Sequence, residues 1–96
     1  MQPDPIGAVL GALADPSRRH VLGFLAERGT ATATELTDEL PISRQAVAKH
    51  LATLADAGLV ESERRGRETR YRLTEAGEEW DDRLDSLRAH LQRHRK

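Results

Sequence analysis

Three groups of side chains in this 96-residue sequence could carry chemistry. The first is Ser43, Arg44, Gln45 and Lys49 in the stretch ISRQAVAKHLATL, with no carboxylate following until Asp56. Arginine can bond a guanine edge twice, glutamine can do the same to adenine, and lysine reaches a base edge or a phosphate. The second is Arg64, Arg65, Arg67, Arg70 and Arg72, spread around Gly66. Their chemistry is phosphate binding, or else plain pairing with Glu61, Glu63 and Glu68. The third is His90 and His94, four residues apart, which one helix face could present together to a Zn²⁺ ion. That tail, RAHLQRHRK, is basic and repels a cation, and a third ligand would have to come from Asp85 or from a second subunit. No metal site and no cofactor are expected. Catalysis is not expected either: there is no cysteine, no glycine-rich phosphate loop and no serine–histidine–acid set.

The elements that must position these groups can be read from periodicity and caps. Asp4-Pro5 and Asp15-Pro16 each start a helix, with proline suited to the first helical position. Ile6, Val9, Leu10 and Leu13 make one apolar stripe, and Val21, Leu22 and Leu25, flanked by Phe24, make another that ends near Arg28-Gly29. After a short connection over 30–32, Thr32-x-x-Glu35 has the form of a capping box, which predicts a third helix with Leu36 and Leu40 on its buried side. Pro41-Ile42 breaks the run, Ser43 caps a fourth helix over 43–57, and Gly58 suits its end. Val47, Leu51 and Leu54 fall on one face of that helix, which leaves Arg44, Gln45, Ala48, Lys49 and Thr53 on the other. His50 lies between the two faces and is expected to be partly buried and satisfied.

Beyond Leu59 the period changes. A β-hairpin over 60–73 turns at Arg65-Gly66-Arg67, with Thr69, Tyr71 and Leu73 alternating against Arg70 and Arg72. Thr74 then caps a last helix running to about residue 94, whose glutamates and arginines suit the helix dipole. Its stripe Trp80, Leu84, Leu87, Leu91 is longer than one small core can cover, so a partner helix is expected. The order helix, helix, helix, helix, hairpin, helix is a mainly α (α+β) winged helix-turn-helix, a single domain over 1–96.

Composition sets the outer limits. The net charge of −1 is uneven. From Ser43 to Arg72, seven basic residues (Arg44, Lys49, Arg64, Arg65, Arg67, Arg70, Arg72) face four acidic ones (Asp56, Glu61, Glu63, Glu68). A DNA-binding face needs only local positive potential, and the rest of the chain can be acidic. No run is long and apolar enough to span a membrane, and MQPDPIGAV does not resemble a signal peptide, so a cytoplasmic location is expected.

The sequence resembles the ArsR/SmtB family of small winged-helix repressors. LADPSRRHVLGFL, ELTDELPISRQAVAKHLATLADAGLV and RRGRETRYRLT carry the resemblance, above all S-x-x-A-V-x-x-H-L followed by L-x-x-A-G-L-V. It implies a homodimer on an inverted-repeat DNA operator. Ser43, Arg44, Gln45 and Lys49 would face the bases, Arg64, Arg65, Arg67 and Arg70 the backbone. Ile6, Val9, Leu10 and Leu13 of the first helix, with Trp80, Leu84, Leu87 and Leu91 of the last, would form the dimer interface. Relatives that sense metals use cysteines in the third helix or Asp/His/Glu sets on the last. Here the third-helix stretch ATELTDEL holds no thiol, so the effector is left unknown. Two other readings stay open: a winged helix that serves protein assembly, which should carry an acidic or apolar reading face, and a metal-responsive sensor using His90 and His94.

Overall fold

The computed structural model of the chain describes residues 4–94, and each helix in it starts where a short polar side chain can cap it. In α1 (Pro5–Leu13) the Asp4 carboxylate accepts from Gly7 N at 3.0 Å. In α2 (Pro16–Arg28) Asp15 accepts from Ser17 N at 2.7 Å and Arg18 N at 3.2 Å. Proline follows both caps, at a position where no N–H is needed. The capping box of α3 (Ala33–Glu39) is complete: Glu35 N donates to Thr32 Oγ1 at 3.1 Å, and Thr32 N donates to Glu35 Oε1 at 2.8 Å. Ser43 caps α4 (Arg44–Asp56) and Thr74 caps α5 (Glu75–Arg93). A further device at the end of α1 has no local signature. Arg18 donates to the carbonyls of Ala12 at 2.7 Å and Gly11 at 3.2 Å, and Arg19 to that of Leu13, so side chains of α2 bond the carbonyl end of α1.

The predicted connection over 30–32 is partly a strand. β1 (Ala31–Thr32) pairs antiparallel with β3 (Glu68–Leu73), placing Ala31 opposite Tyr71 and Thr32 opposite Arg70. β2 (Val60–Arg65) pairs with the other edge of β3, so the sheet order is β1-β3-β2. The β2–β3 register runs from Val60–Leu73 to Arg65–Glu68 and leaves Gly66-Arg67 as a two-residue loop. Gly66 has φ +60° and Arg67 does not have a positive φ, the II′ pattern that suits strand twist.

The core lies between α2, α3, α4 and the base of the sheet. Val21, Leu22, Leu25, Leu36, Val47, Leu51, Leu54 and Leu59 are buried, with Val60 and Leu73 closing it at the sheet. The corner after α4 is tightly stitched. Gly58 takes φ +79°, and Leu59 N donates to Leu54 O at 3.0 Å, a Schellman-type ending that tucks Leu59 against the helix it leaves. Thr74 N then donates to Leu59 O at 3.0 Å and Thr74 Oγ1 to Gly58 O at 2.6 Å. The first turn of α5 rests directly on this corner: a Cβ at Gly77 would overlap the Leu59 carbonyl. Among the described residues, no helix is long and apolar enough to cross a membrane.

Candidate nucleic-acid interface

Helix α4 divides cleanly. Val47, Leu51 and Leu54 are buried, while Ser43, Arg44, Gln45, Ala48 and Lys49 are exposed on the opposite side. The Ser43 hydroxyl accepts from Ala46 N at 3.1 Å, so the N-terminal turn that carries the donors is held in shape. Arg44, Gln45 and Lys49 make no side-chain hydrogen bond or ion pair among the described residues. Small Ala48 between them leaves a face flat enough for a groove, and the donors stay available to base edges. Thr53 is only half-exposed and donates to Lys49 O at 3.1 Å.

The wing arginines have mostly been claimed by their own chain. Arg65 bonds Glu63 at 3.0 Å, and Arg72 reaches Glu61 at 3.6 Å and Glu63 at 3.8 Å. Arg64 donates Nε to Gly66 O at 3.1 Å, which steadies the loop and leaves its charge unpaired. Arg67, in the loop, has no partner among the described residues and is exposed.

Arg70, expected on the DNA backbone, is held within its own chain. Its side chain is only 19% exposed, and it bonds Glu35 at 3.1 Å, Glu68 at 3.2 Å and Thr30 Oγ1 at 3.0 Å. The reason is β1: pairing Thr32 with Arg70 brings the α3 capping box beneath the strand. Glu35 Oε1 thereby accepts both from Thr32 N and from Arg70, and one carboxylate joins the wing to α3. The Thr32 N–H holds the Glu35 carboxyl below its ordinary range, and the Arg70 and Arg28 charges reinforce it against an opposing effect of burial. His50 also departs from expectation. It is part-buried near Asp15, yet its Nδ1 is buried with no hydrogen-bond partner among the described residues.

The two apolar stripes expected at a subunit interface each split. Val9 and Leu13 are 9% and 6% exposed and belong to the core of their own chain. Trp80 and Leu84 are partly buried against the same core. Ile6, Leu10, Leu87 and Leu91 remain 52–67% exposed, two on α1 and two on α5. At the end of α5 the His90 and His94 rings lie 4.5 Å apart, and Asp85, which a metal site there would have needed unless a second subunit supplied the ligand, is bonded to Arg88 at 2.9 Å.

Comparison with known proteins agrees with this geometry. A helix-turn-helix domain family matches residues 13–63. The HTH-type transcriptional regulator YuzN of Bacillus subtilis is 48% identical over 66 residues, covering 62% of this chain and 72% of that protein. The HTH-type transcriptional repressor SmtB of Mycobacterium tuberculosis is 40% identical over 72 residues; the match takes in 75% of this chain and only 53% of that protein. An ArsR-like transcriptional regulator from Rhodococcus sp. RHA1 superposes with TM-score 0.73 at 40% identity, over 93% of this chain and 84% of that one. A fold of this kind, with donors free on the exposed face of its second helix-turn-helix helix, is a DNA-binding regulator. The chain belongs to the ArsR family of helix-turn-helix transcriptional regulators.

Proposed function

We propose that the chain acts as a homodimeric repressor that sits on an inverted-repeat operator and blocks transcription from it. The observation that carries this reading is the set Arg44, Gln45 and Lys49, exposed and unclaimed on a helix whose opposite face is locked into the core. In this reading α4 enters the major groove, Arg44 and Gln45 read base edges, and Lys49 takes a base edge or phosphate. Ser43 holds the helix start against the backbone. Arg67 and Arg64 bring positive charge to the flanking phosphates, where the turn narrows the wing to a tip. Ile6, Leu10, Leu87 and Leu91 supply the surface for a second copy, since single exposed apolar residues need no explanation but a pair of large ones on each terminal helix does. A two-fold pair then spaces two reading helices about 34 Å apart, one turn of DNA.

The test is binding to DNA from the protein's own promoter at two salt concentrations, with and without Zn²⁺. Tight, salt-sensitive binding that is lost in Arg44→Ala and indifferent to zinc supports the reading. Release by zinc, abolished in His90→Ala and His94→Ala, would instead make the chain metal-responsive. Failure to bind this promoter or a selected random library would leave it as an assembly module. A Leu87→Glu variant that stays a tight dimer in sedimentation would remove Leu87 from the interface.

A further inference from the structure

Asp81 is the sole charged residue buried among the described residues, at 9% exposure, and no donor there bonds its carboxylate. It sits on α5 facing α2, where two clefts meet. One, of about 500 Å³, is walled by Arg19, His20, Gly23, Glu27 and Arg88; the other, of about 340 Å³, by Leu25, Gly29 and Asp82, and both share Ala26 and Asp81. We infer that this junction binds a small organic cation, an amine or guanidinium, with its charged head on the Asp81 carboxylate.

The Asp81 oxygens keep only a narrow opening to water through the clefts and no donor beside them, a state relieved by a group that brings both N–H donors and positive charge. The chain does not supply one. Arg88 is bonded to Asp85 at 2.9 Å, Arg19 donates to Leu13 O, and Arg72 is held by Glu61 and Glu63. Burial pushes the Asp81 carboxyl up from its ordinary value; Asp85, Asp82 and Glu27 push the same way, and only Arg88 opposes them. The three neighbouring carboxylates that add to the effect of burial would also attract a cation. Room exists because α2 carries glycine opposite: a Cβ at Gly23 would come within 3.9 Å of Asp81 Oδ1, and a larger side chain would fill the cleft. A bare metal ion fits poorly, because no three His, Cys, Asp or Glu side chains among the described residues are placed to hold one. An ammonium or guanidinium group needs a single carboxylate and a wall to lie against.

The position also suits regulation. Helix α2 packs on both α5 and α4, so a ligand wedged between α2 and α5 bears on the element that backs the reading helix. That regulatory role rests on the operator-binding reading above; the binding itself does not.

The experiment is thermal denaturation and calorimetric titration of the full chain with putrescine, butylamine and guanidinium chloride, using butanol as the neutral control and matched ionic strength throughout. Wild type should gain several degrees in Tm near saturation, with binding in the millimolar range or tighter. Asp81→Asn, which keeps the shape and should fold at least as stably, should lose the shift, as should Gly23→Val, which closes the cleft and leaves the carboxylate. No shift with any amine up to about 10 mM, or an equal shift in Asp81→Asn, overturns the site. In the second arm, operator affinity should change by about fivefold or more when the amine is bound. An unchanged affinity with the amine bound overturns the regulatory role and leaves the site standing. If the chain binds no operator at all, that failure belongs to the operator reading, and the thermal arm still decides the site.

Discussion

Helix α4 and strand β3 carry the same residue type to opposite ends. Arg44 on α4 has no carboxylate within reach and stays free, while Arg70 on β3 has two and is pulled into the fold. On a strand, residues two apart share a face and register adds neighbours across the hairpin, so Glu63 meets Arg65 and Glu68 meets Arg70 along their own strands while Glu61 meets Arg72 across it. On a helix, only residues three or four away can pair, and α4 places no acid at those positions from Arg44 or Lys49. Positive charge counted along the sequence therefore overstates what the wing can offer DNA and represents α4 fairly.

Substitutions at four arginines, and a pH series, would sharpen or break this contrast. The largest effect should come from Arg44→Ala, which is expected to cost about 1–3 kcal/mol of operator binding, roughly five- to 150-fold, and to relax base preference at one position. A gel-shift series over operator variants reads both, and a uniform loss across sequences would demote Arg44 to a phosphate contact. Next, Arg70→Ala should lower Tm by several degrees and weaken binding about fivefold while leaving the salt slope unchanged, since it breaks a part-buried link within the protein and no link to DNA. Glu35→Gln should do the same, and in the double variant the losses should fall short of additive. A slope that drops in Arg70→Ala would return this residue to the DNA backbone.

Arg67→Ala should act the other way: Tm unchanged, and a salt slope smaller by about 0.9, so that the affinity lost between 50 and 200 mM salt shrinks roughly threefold. The smallest effect is expected from Arg65→Ala, within about 0.5 kcal/mol for both stability and binding, because Glu63 already engages it on an exposed surface. A pH series by calorimetry separates two carboxyls in the same spirit. Glu35 is held below its ordinary range, so its contribution to stability is present above that range and fades as pH falls through the lowered value. Asp81 is held above its range, so its contribution is greatest below the ordinary aspartate value and is lost as pH rises through the raised one. Glu35→Gln should accordingly flatten the acid limb of Tm against pH, and Asp81→Asn should raise Tm at neutral pH.

What could be read from the sequence was what is decided locally. The five helix starts rest on side chains bonded to backbone within three residues, so Asp4, Asp15, Thr32, Ser43 and Thr74 announce themselves. The exposed face of α4 follows from Val47, Leu51 and Leu54 in the same way. Strand β1 was not legible, because two residues have no period and their pairing lies about forty positions away, at Tyr71 and Arg70. The Arg70–Glu35 link depends on that pairing and was hidden with it. The apolar stripe of α1 was visible, but a helical period cannot tell which of its members face their own core, Val9 and Leu13, and which face outward, Ile6 and Leu10. Asp81 is one of two adjacent aspartates, and only its place one helical turn beyond buried Gly77 distinguishes it from Asp82.

The contact between Gly77 and the Leu59 carbonyl fixes the foot of a long lever. Helix α5 leaves that point as 19 residues, about 28 Å of rigid rod. A tilt of about 5° at its foot would swing its far end by roughly 2.5 Å, by the same geometry. If two copies grip each other along that rod, a movement at the foot too small to disturb the core becomes a change in the spacing of the two reading helices, large enough to put one of them out of step with its groove.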